Sequence, residues 1–428
     1  MNILRVWDNY NFVEQNENVP LCEREESKYV DLNEELLKAF PFSKIGLAAT
    51  VWETKKFIYE REGDKEYWGI PVKVNIQRRL RKLLLFSKLE YNNYYLYRLV
   101  MNLLLPFRAL IKVCEIVKFS YFFIRIMKIF NPDIVICNQT YDENAILACI
   151  VARVMKIPII LEVRSGIDKY KALSFSRGMV EAYKRSVILS LTTKLADRII
   201  SLSPDIKLIT NKEVSIVNNL CDKEFKEISP NNQFLIEDVL PIVQIGRIEY
   251  LKNQMTTIQA FKKLQETFPN VKLFIIGRYS DEEVRYQKVF NKYLSDNPDL
   301  RVLVKEIKYR NEMKQFLSIV AKKNGILILP SLCEGFPRVI LEGGELGIPG
   351  IYSKLPGNSL LIRDGINSLL LNDPLSVNEL YDKMNFLVKD IAKYRQLSNN
   401  IYRDTKSRIN NYSSTFINVI KSLGERFK

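Results

Sequence analysis

Histidine is absent from all 428 residues of this chain. That excludes Ser–His and Cys–His nucleophile pairs. Any general base must then be a carboxylate, a lysine, a tyrosine or the substrate itself. Cysteine chemistry is also thin. The six cysteines (Cys22, Cys114, Cys137, Cys149, Cys221 and Cys333) are scattered, and none forms a C-x-x-C pair. Zinc sites and disulfide frameworks are therefore not expected. Cys333 adjoins Glu334, but no imidazole is available to activate it, so a packed thiol is expected there. No run of eighteen uncharged apolar residues occurs, which argues against a spanning helix. The N-terminal MNILRVWDNYNF has no basic region followed by an apolar core, so a secretory signal is not expected and a cytoplasmic chain is.

Basic residues are in excess. The formal net charge is +15, and residues 71–130 hold twelve Lys or Arg against only Glu90 and Glu115. The same stretch contains LRKLLLF, YNNYYLYRLVMNLLLPF and FSYFFIRIMKIF. Basic, apolar segments of this kind suit an anionic membrane surface, giving an expectation of peripheral attachment through residues 71–130. The plain alternative is a helix pair with its apolar side in the core and its cations solvated. Nucleic acid ranks lower as a partner, because no helix-turn-helix, zinc or RNA-recognition signature is visible.

The richest segment runs from Gly325 to Ile351, GILILPSLCEGFPRVILEGGELGIPGI. Gly325–Leu329 suits a buried parallel strand. Pro330 and Ser331 end it, and Pro337 is placed to start a helix, where its missing N–H costs nothing. Gly347 and Pro349 then stop that helix. Glu334 falls in the loop and Glu342 inside the helix. Carboxylates beside a helix start are suited to accepting hydrogen bonds from sugar hydroxyls rather than to holding phosphate. Two solvated surface glutamates are the bland alternative, but Gly335 and the Gly343–Gly344 pair imply a close approach of something.

Upstream, Pro241–Phe261 again reads strand, loop, helix. Ile242–Ile245 is the strand, and Gly246 opens a loop with Arg247 and Lys252. Met255, Ile258, Ala260 and Phe261 give the helix an apolar face. Two cations in one loop after a strand suit a diphosphate.

Together these motifs resemble family-four glycosyltransferases, the retaining GT-B enzymes of bacterial surface-polysaccharide type. The residues that carry the resemblance are Pro330-Ser331, Glu334-Gly335-Phe336, Glu342, Gly347-Ile348-Pro349 and the Gly246-Arg247 to Lys252-Asn253 loop. The resemblance implies an α/β GT-B fold, two doubly wound Rossmann-like domains facing a cleft. It implies donor contacts from Gly246, Arg247, Lys252, Glu334, Gly335, Phe336, Pro337 and Glu342, with Glu334, Arg247 and Lys252 closest to catalysis. Arg247 and Lys252 would hold the pyrophosphate, Glu342 the ribose hydroxyls and Glu334 the transferred sugar. No cofactor and no metal are expected, because the cations supply the positive charge. Gly277 also matches the family. Arg278 reads equally well near the nucleotide or in solvent, and Lys305–Tyr309 is expected to border the nucleobase.

The expected domains are residues 1–220, a linker at 221–239, and a nucleotide-sugar domain at 240–409, with a final helix about 410–428 returning to the first domain. The N-terminal half reads as strands at Asn2–Val6, Lys44–Val51, Asp133–Cys137 and Pro158–Val163, with a hairpin around Gly63 and helices over 76–130, broken at Pro106, and over Glu143–Met155. Leu161-Glu-Val-Arg-Ser165 resembles an E-V-R-D segment of some members, which makes Arg164, together with Asn138, a candidate for the cleft. The fit is poor over residues 1–130. The family's Gly-Gly loop is missing, Asn219 stands where glycine is common, and Leu360 replaces a Glu. The expected activity is transfer of a sugar from a nucleotide-diphosphate donor to a hydroxyl of a glycan, lipid-linked in the membrane. The alternatives are a non-catalytic nucleotide-sugar binder and another GT-B enzyme such as a nucleotide-sugar epimerase.

Overall fold

Short apolar runs alternating with helices become two parallel sheets. The computed structural model describes residues 1–7, 33, 35–52, 57–72, 105–138, 143–164, 166, 179–217, 239–280, 283–307, 310–408 and 411–426. The basic cluster from Arg78 to Lys82, Ser165, Asn219, Tyr309 and residues 221–238 of the expected linker lie outside the described residues.

The first sheet contains β1 (Asn2–Trp7), β2 (Lys44–Trp52), β3 (Ile58–Glu62), β4 (Lys65–Val72), β5 (Ile134–Asn138), β6 (Ile159–Val163), β7 (Arg198–Ser201) and β8 (Val214–Ile216). Their order is β3-β4-β2-β1-β5-β6-β7-β8. All neighbours are parallel except the β3–β4 hairpin, which turns at Gly63 with φ +58°. Every residue of β5, β6 and β7 is buried, as strands covered on both faces require. One face is covered by α1 (Leu105–Phe130), α2 (Glu143–Val154) and α3 (Met179–Leu195), and Phe119, Phe123, Ile126 and Met127 of α1 join Val135, Leu161 and Trp68 in one core. A break is expected at Pro106, and residues 73–104 ahead of α1 lie outside the described residues. Pro106 is the second residue of α1, where no backbone N–H is needed.

The second sheet contains β9 (Leu240–Ile245), β10 (Val271–Ile276), β11 (Val302–Lys305), β12 (Ile326–Leu329), β13 (Gly350–Ser353) and β14 (Leu369–Leu371). All are parallel, in the order β11-β10-β9-β12-β13-β14. The connecting helices are α4 (Gln254–Thr267), α5 (Val284–Ser295), α6 (Arg310–Lys322) and α7 (Arg338–Gly344); α8 (Val377–Lys389) and α9 (Ile391–Arg408) follow β14. The three-residue β14 is too short for periodicity to reveal, and only its pairing with β13 defines it.

The last helix, α10 (Asn411–Arg426), buries Phe416, Ile420 and Leu423. These belong to one apolar cluster that contains Ile3, Ile45 and Ile134 of the first sheet and Val243, Leu327 and Tyr352 of the second. A continuous apolar cluster resists splitting, because opening it would expose side chains worth roughly 1.5–3 kcal/mol each.

Candidate functional site

Strand order brings the two motifs together. The chain runs from β9 outward to β10 on one side, then returns to place β12 on the other. Loops after β9 and β12 therefore diverge at a switch point, where open parallel sheets leave a crevice at their C-terminal edge. The loops are also bonded to each other. Leu332 N–H donates to the Leu251 carbonyl at 2.9 Å, and Asn253 Nδ2 donates to the Pro330 carbonyl at 3.1 Å. Asn253 has φ +54°, a left-handed conformation that Asn tolerates better than most residues.

A cavity of about 240 Å³ opens there, lined by Ile245, Lys252, Leu329, Glu334, Pro337, Arg338, Val339 and Glu342. The Lys252 ammonium donates to the Glu334 carboxylate across the two loops. Arg338 Nη2 lies 3.4 Å from Glu342 Oε1, one helical turn away. Two carboxylates and two cations thus face one space, each cation beside an acid. An incoming diphosphate would meet ammonium and guanidinium groups, and the acids would be left to take hydroxyls.

Pro337 caps α7 rather than opening it, and α7 has only seven residues. Its dipole is correspondingly small, so the side-chain cations carry most of the positive charge. Gly343 and Gly344 serve packing and not a ligand. A Cβ at Gly343 would collide with Leu327 of β12, and one at Gly344 with Thr405 of α9. Phe336 is 3% exposed and belongs to the core, so only its backbone and that of Gly335 are available near the cavity.

Arg247 does not line this cavity. Its side chain is 49% exposed, and Nη2 donates to Glu249 Oε1 at 3.2 Å. Glu249 is 2% exposed, and its Oε2 has no hydrogen-bond partner among the described residues. The loop itself is held from behind. Gln254 Nε2 donates to the Arg247 carbonyl at 2.8 Å, Tyr286 donates to Gln254 Oε1 at 3.1 Å, and Gln244 Nε2 donates to the Lys252 carbonyl at 2.6 Å. Burial drives the Tyr286 phenol well above its usual range, against the opposing effect of the Met255 and Gln254 backbone, so it stays a neutral donor. Gly246 adopts φ +154°, and Gly277 packs on its carbonyl so tightly that any side chain there would overlap it. Arg278 and Lys305 follow β10 and end β11 at the same sheet edge, outside the cavity lining.

The other two candidates lie on the first sheet. Asn138 ends β5, beside the β1–β5 switch point, and pairs in register with Glu162. It is 5% exposed, yet neither Oδ1 nor Nδ2 has a partner among the described residues. Unpaired buried amides are rare and costly, by about 1–3 kcal/mol each, unless a ligand or water completes them. Arg164 follows β6 and donates from Nε to Glu162 Oε1 at 2.9 Å. Two residues further on, Gly166 touches the second motif. A Cβ there would lie 2.8 Å from the Glu334 carbonyl oxygen and 3.0 Å from Asp205 Oδ2. Cys333 is buried with its thiol 3.7 Å from the Gly166 carbonyl, the packed thiol that its lack of an imidazole predicted.

Two contributors escaped the sequence reading. Arg338 could have been found, since it stands four residues before Glu342 on the expected helix and must share its face. Glu249 could not, because nothing in its neighbours signals that it is buried.

Residues 225–404 match the sequence model of the family Glycosyl transferases group 1. An uncharacterized glycosyltransferase of Methanocaldococcus jannaschii is 29% identical over 260 residues, 55% of this chain and 59% of that protein. The UDP-Gal:alpha-D-GlcNAc-diphosphoundecaprenol alpha-1,3-galactosyltransferase of Escherichia coli is 27% identical over 265 residues, 58% of this chain and 64% of that protein. The match thus spans about 60% of the length of each of these two relatives. Among solved structures, sucrose-phosphate synthase from Thermosynechococcus elongatus superposes with TM-score 0.71 at 16% identity, over 100% of this chain and 99% of that one. The Anabaena protein HepE, solved with UDP-glucose, gives 0.64 at 15% identity over 99% and 100%. The fold is GT-B, and the chain resembles group 1 glycosyltransferases.

Proposed function

We propose, from a GT-B fold whose C-terminal half resembles the group 1 glycosyltransferases, that this chain is a retaining, metal-independent glycosyltransferase. It moves a sugar from a nucleotide-diphosphate donor to a hydroxyl of a lipid-linked glycan in surface polysaccharide synthesis. One observation carries the reading: Lys252, Glu334, Arg338 and Glu342, from motifs more than eighty residues apart, line a single cavity at a sheet switch point. The relative that acts on a diphosphoundecaprenol-linked sugar, and the neighbour solved with UDP-glucose, support the same donor and acceptor classes.

In this reading residues 240–409 bind the donor and residues 1–220, with the final helix, present the acceptor. Lys252 and Arg247 hold the two phosphates, and Glu342 accepts from the ribose hydroxyls. Diphosphate draws the Lys252 ammonium away from Glu334, whose carboxylate, with the Gly335–Phe336 backbone, then grips the transferred sugar. Asn138 and Arg164 face the acceptor side, where the unpaired Asn138 amide can both donate to and accept from a hydroxyl. As the glycosidic bond to the diphosphate breaks, negative charge grows on the departing oxygen, and the preorganised cations stabilise it. That oxygen takes the proton of the attacking hydroxyl on the same face, which keeps the anomeric configuration and needs no histidine. The chain works in the cytoplasm, against the inner face of the membrane.

The test is thermal stabilisation by a panel of nucleotide sugars. A cognate donor at a hundred times its Kd should stabilise by about 2.7 kcal/mol and raise the midpoint by several degrees. Lys252→Ala should abolish that rise. No shift with any donor, or an undiminished shift in the variant, would overturn the reading.

A further inference from the structure

We propose that the outer face of α1, α2 and α3 is a docking surface for an anionic lipid bilayer. The proposal deepens the reading of a lipid-linked acceptor and rests on it only for its purpose, because the surface is argued from burial and charge alone.

Helices that cover a sheet should be apolar inward and polar outward. Helix α4 obeys this, and none of its large apolar residues is exposed. Helices α1 to α3 do not. Helix α1 buries Phe119, Phe123 and Ile126 against the sheet, yet Val117 is 62% exposed and Tyr121 is 61% exposed. With Val113 they recur at four-residue intervals, which makes one continuous stripe on the solvent side. Helix α2 packs between α1 and α3 and exposes Ile150 and Val154, also four residues apart, the latter at 77%. Helix α3 exposes Val187 and Leu191, again four residues apart. Three neighbouring helices thus carry second apolar stripes side by side. Scattered exposed apolar residues are ordinary, but a contiguous patch marks an interaction site.

Charge selects the occupant. The three helices hold nine Lys or Arg against three Glu. Arg125, Lys128, Lys184 and Lys194 are exposed. A second copy of this chain would bring the same excess of cations face to face and be repelled. An anionic leaflet attracts them while its acyl boundary receives the apolar stripes. None of these helices is long and apolar enough to cross a membrane, so contact is with the surface. The expectation from composition named residues 71–130, whereas the surface proposed here combines α1 with two helices beyond that range.

The experiment is co-sedimentation of the full chain with vesicles of equimolar phosphatidylglycerol and phosphatidylcholine, with pure phosphatidylcholine vesicles as the comparison, and with no donor or acceptor present. Binding to the anionic vesicles alone is expected. Arg125→Gln, Lys128→Gln and Lys184→Gln combined should weaken it on the order of a hundredfold, about fivefold per cation. Val117→Glu, Tyr121→Glu and Val187→Glu combined should abolish it while leaving the lipid-free melting midpoint and transfer to a water-soluble acceptor unchanged. Three results would overturn the proposal. One is failure of the unaltered chain to sediment with anionic vesicles, or sedimentation that the glutamate variant retains. Another is dimerisation of the lipid-free chain that the glutamates abolish, which would assign the face to a second copy. The third is a clear fall in the lipid-free midpoint of the glutamate variant, which would show the face covered from within the chain. Vesicle binding without any transfer would leave the surface standing and remove the proposed activity; transfer without vesicle binding would do the reverse.

Discussion

Replacing Arg247 by alanine should do two separable things. It removes a cation proposed to stabilise the departing diphosphate, and it strands Glu249. That carboxylate is 2% exposed, and it pairs with the Arg247 guanidinium at 3.2 Å. At an effective dielectric constant near 20 the gross attraction is about 5 kcal/mol. Arg247 is 49% exposed, so solvent screens the pair and part of that attraction is recovered as hydration when it is lost. What remains is the penalty of an unpaired buried acid, roughly 2 kcal/mol after that discount. In a domain of about 200 residues this lowers the melting midpoint by about 4–8 °C. Transfer should fall by about 2–4 kcal/mol in barrier, the usual loss for one preorganised stabiliser. The assay is a double-mutant cycle read by thermal melting and by initial rates. Adding Glu249→Ala to Arg247→Ala should restore most of the midpoint, since no buried charge is then left, and should restore none of the rate. A double variant no more stable than Arg247→Ala would refute the buried-pair reasoning. Near-normal turnover in Arg247→Ala would refute its role at the diphosphate.

Three further outcomes are expected. Glu342→Ala should raise donor KM more than it lowers kcat, and unchanged nucleotide affinity by calorimetry would contradict its place at the ribose. Gly344→Ala should destabilise by about 1–3 kcal/mol through overpacking against Thr405, with donor Kd unaffected; a shift in Kd without loss of stability would put the glycine back at the ligand. Glu379 is the third case. Partial burial pushes its pKa up, but hydrogen bonds from Asn372 N–H and Asp373 N–H and the nearby Lys383 outweigh that, so its folded pKa lies below the ordinary value of 4.5. A depressed folded pKa contributes stability that is complete above the unfolded pKa and lost as pH falls through the folded one. Glu379→Gln should therefore lower stability at neutral pH and flatten its decline below about pH 4.5; a parallel decline in both proteins would argue against the assignment.

Much of the fold was legible because its signals are local. β9, β10 and β12 announce themselves as apolar runs bounded by Gly or Pro, and the E-x7-E and Gly-Arg…Lys motifs sit on strand–loop–helix units that need only neighbouring residues to form. Other features were hidden because burial and pairing are properties of distant contacts. The bond between Lys252 and Glu334 joins residues 82 apart. The Gly343–Gly344 pair implied a close approach of something, but not that the neighbours would be Leu327 and Thr405. The isolation of the Asn138 amide depends on what surrounds the end of β5, which no local pattern records.

By itself, then, the sequence determined the alternating α/β units, the residue types at both motifs, the absence of imidazole chemistry and the excess of basic charge. Those follow from local propensity, periodicity and composition. Tertiary structure alone decided that β12 pairs with β9, and so that two loops from separate units open into one cavity. It alone turned Arg247 toward Glu249, and it alone set the outer stripes of three helices side by side. The physical reason is the same in each case: which strand lies beside which, and which face meets water, is fixed by long-range packing after the local elements have formed.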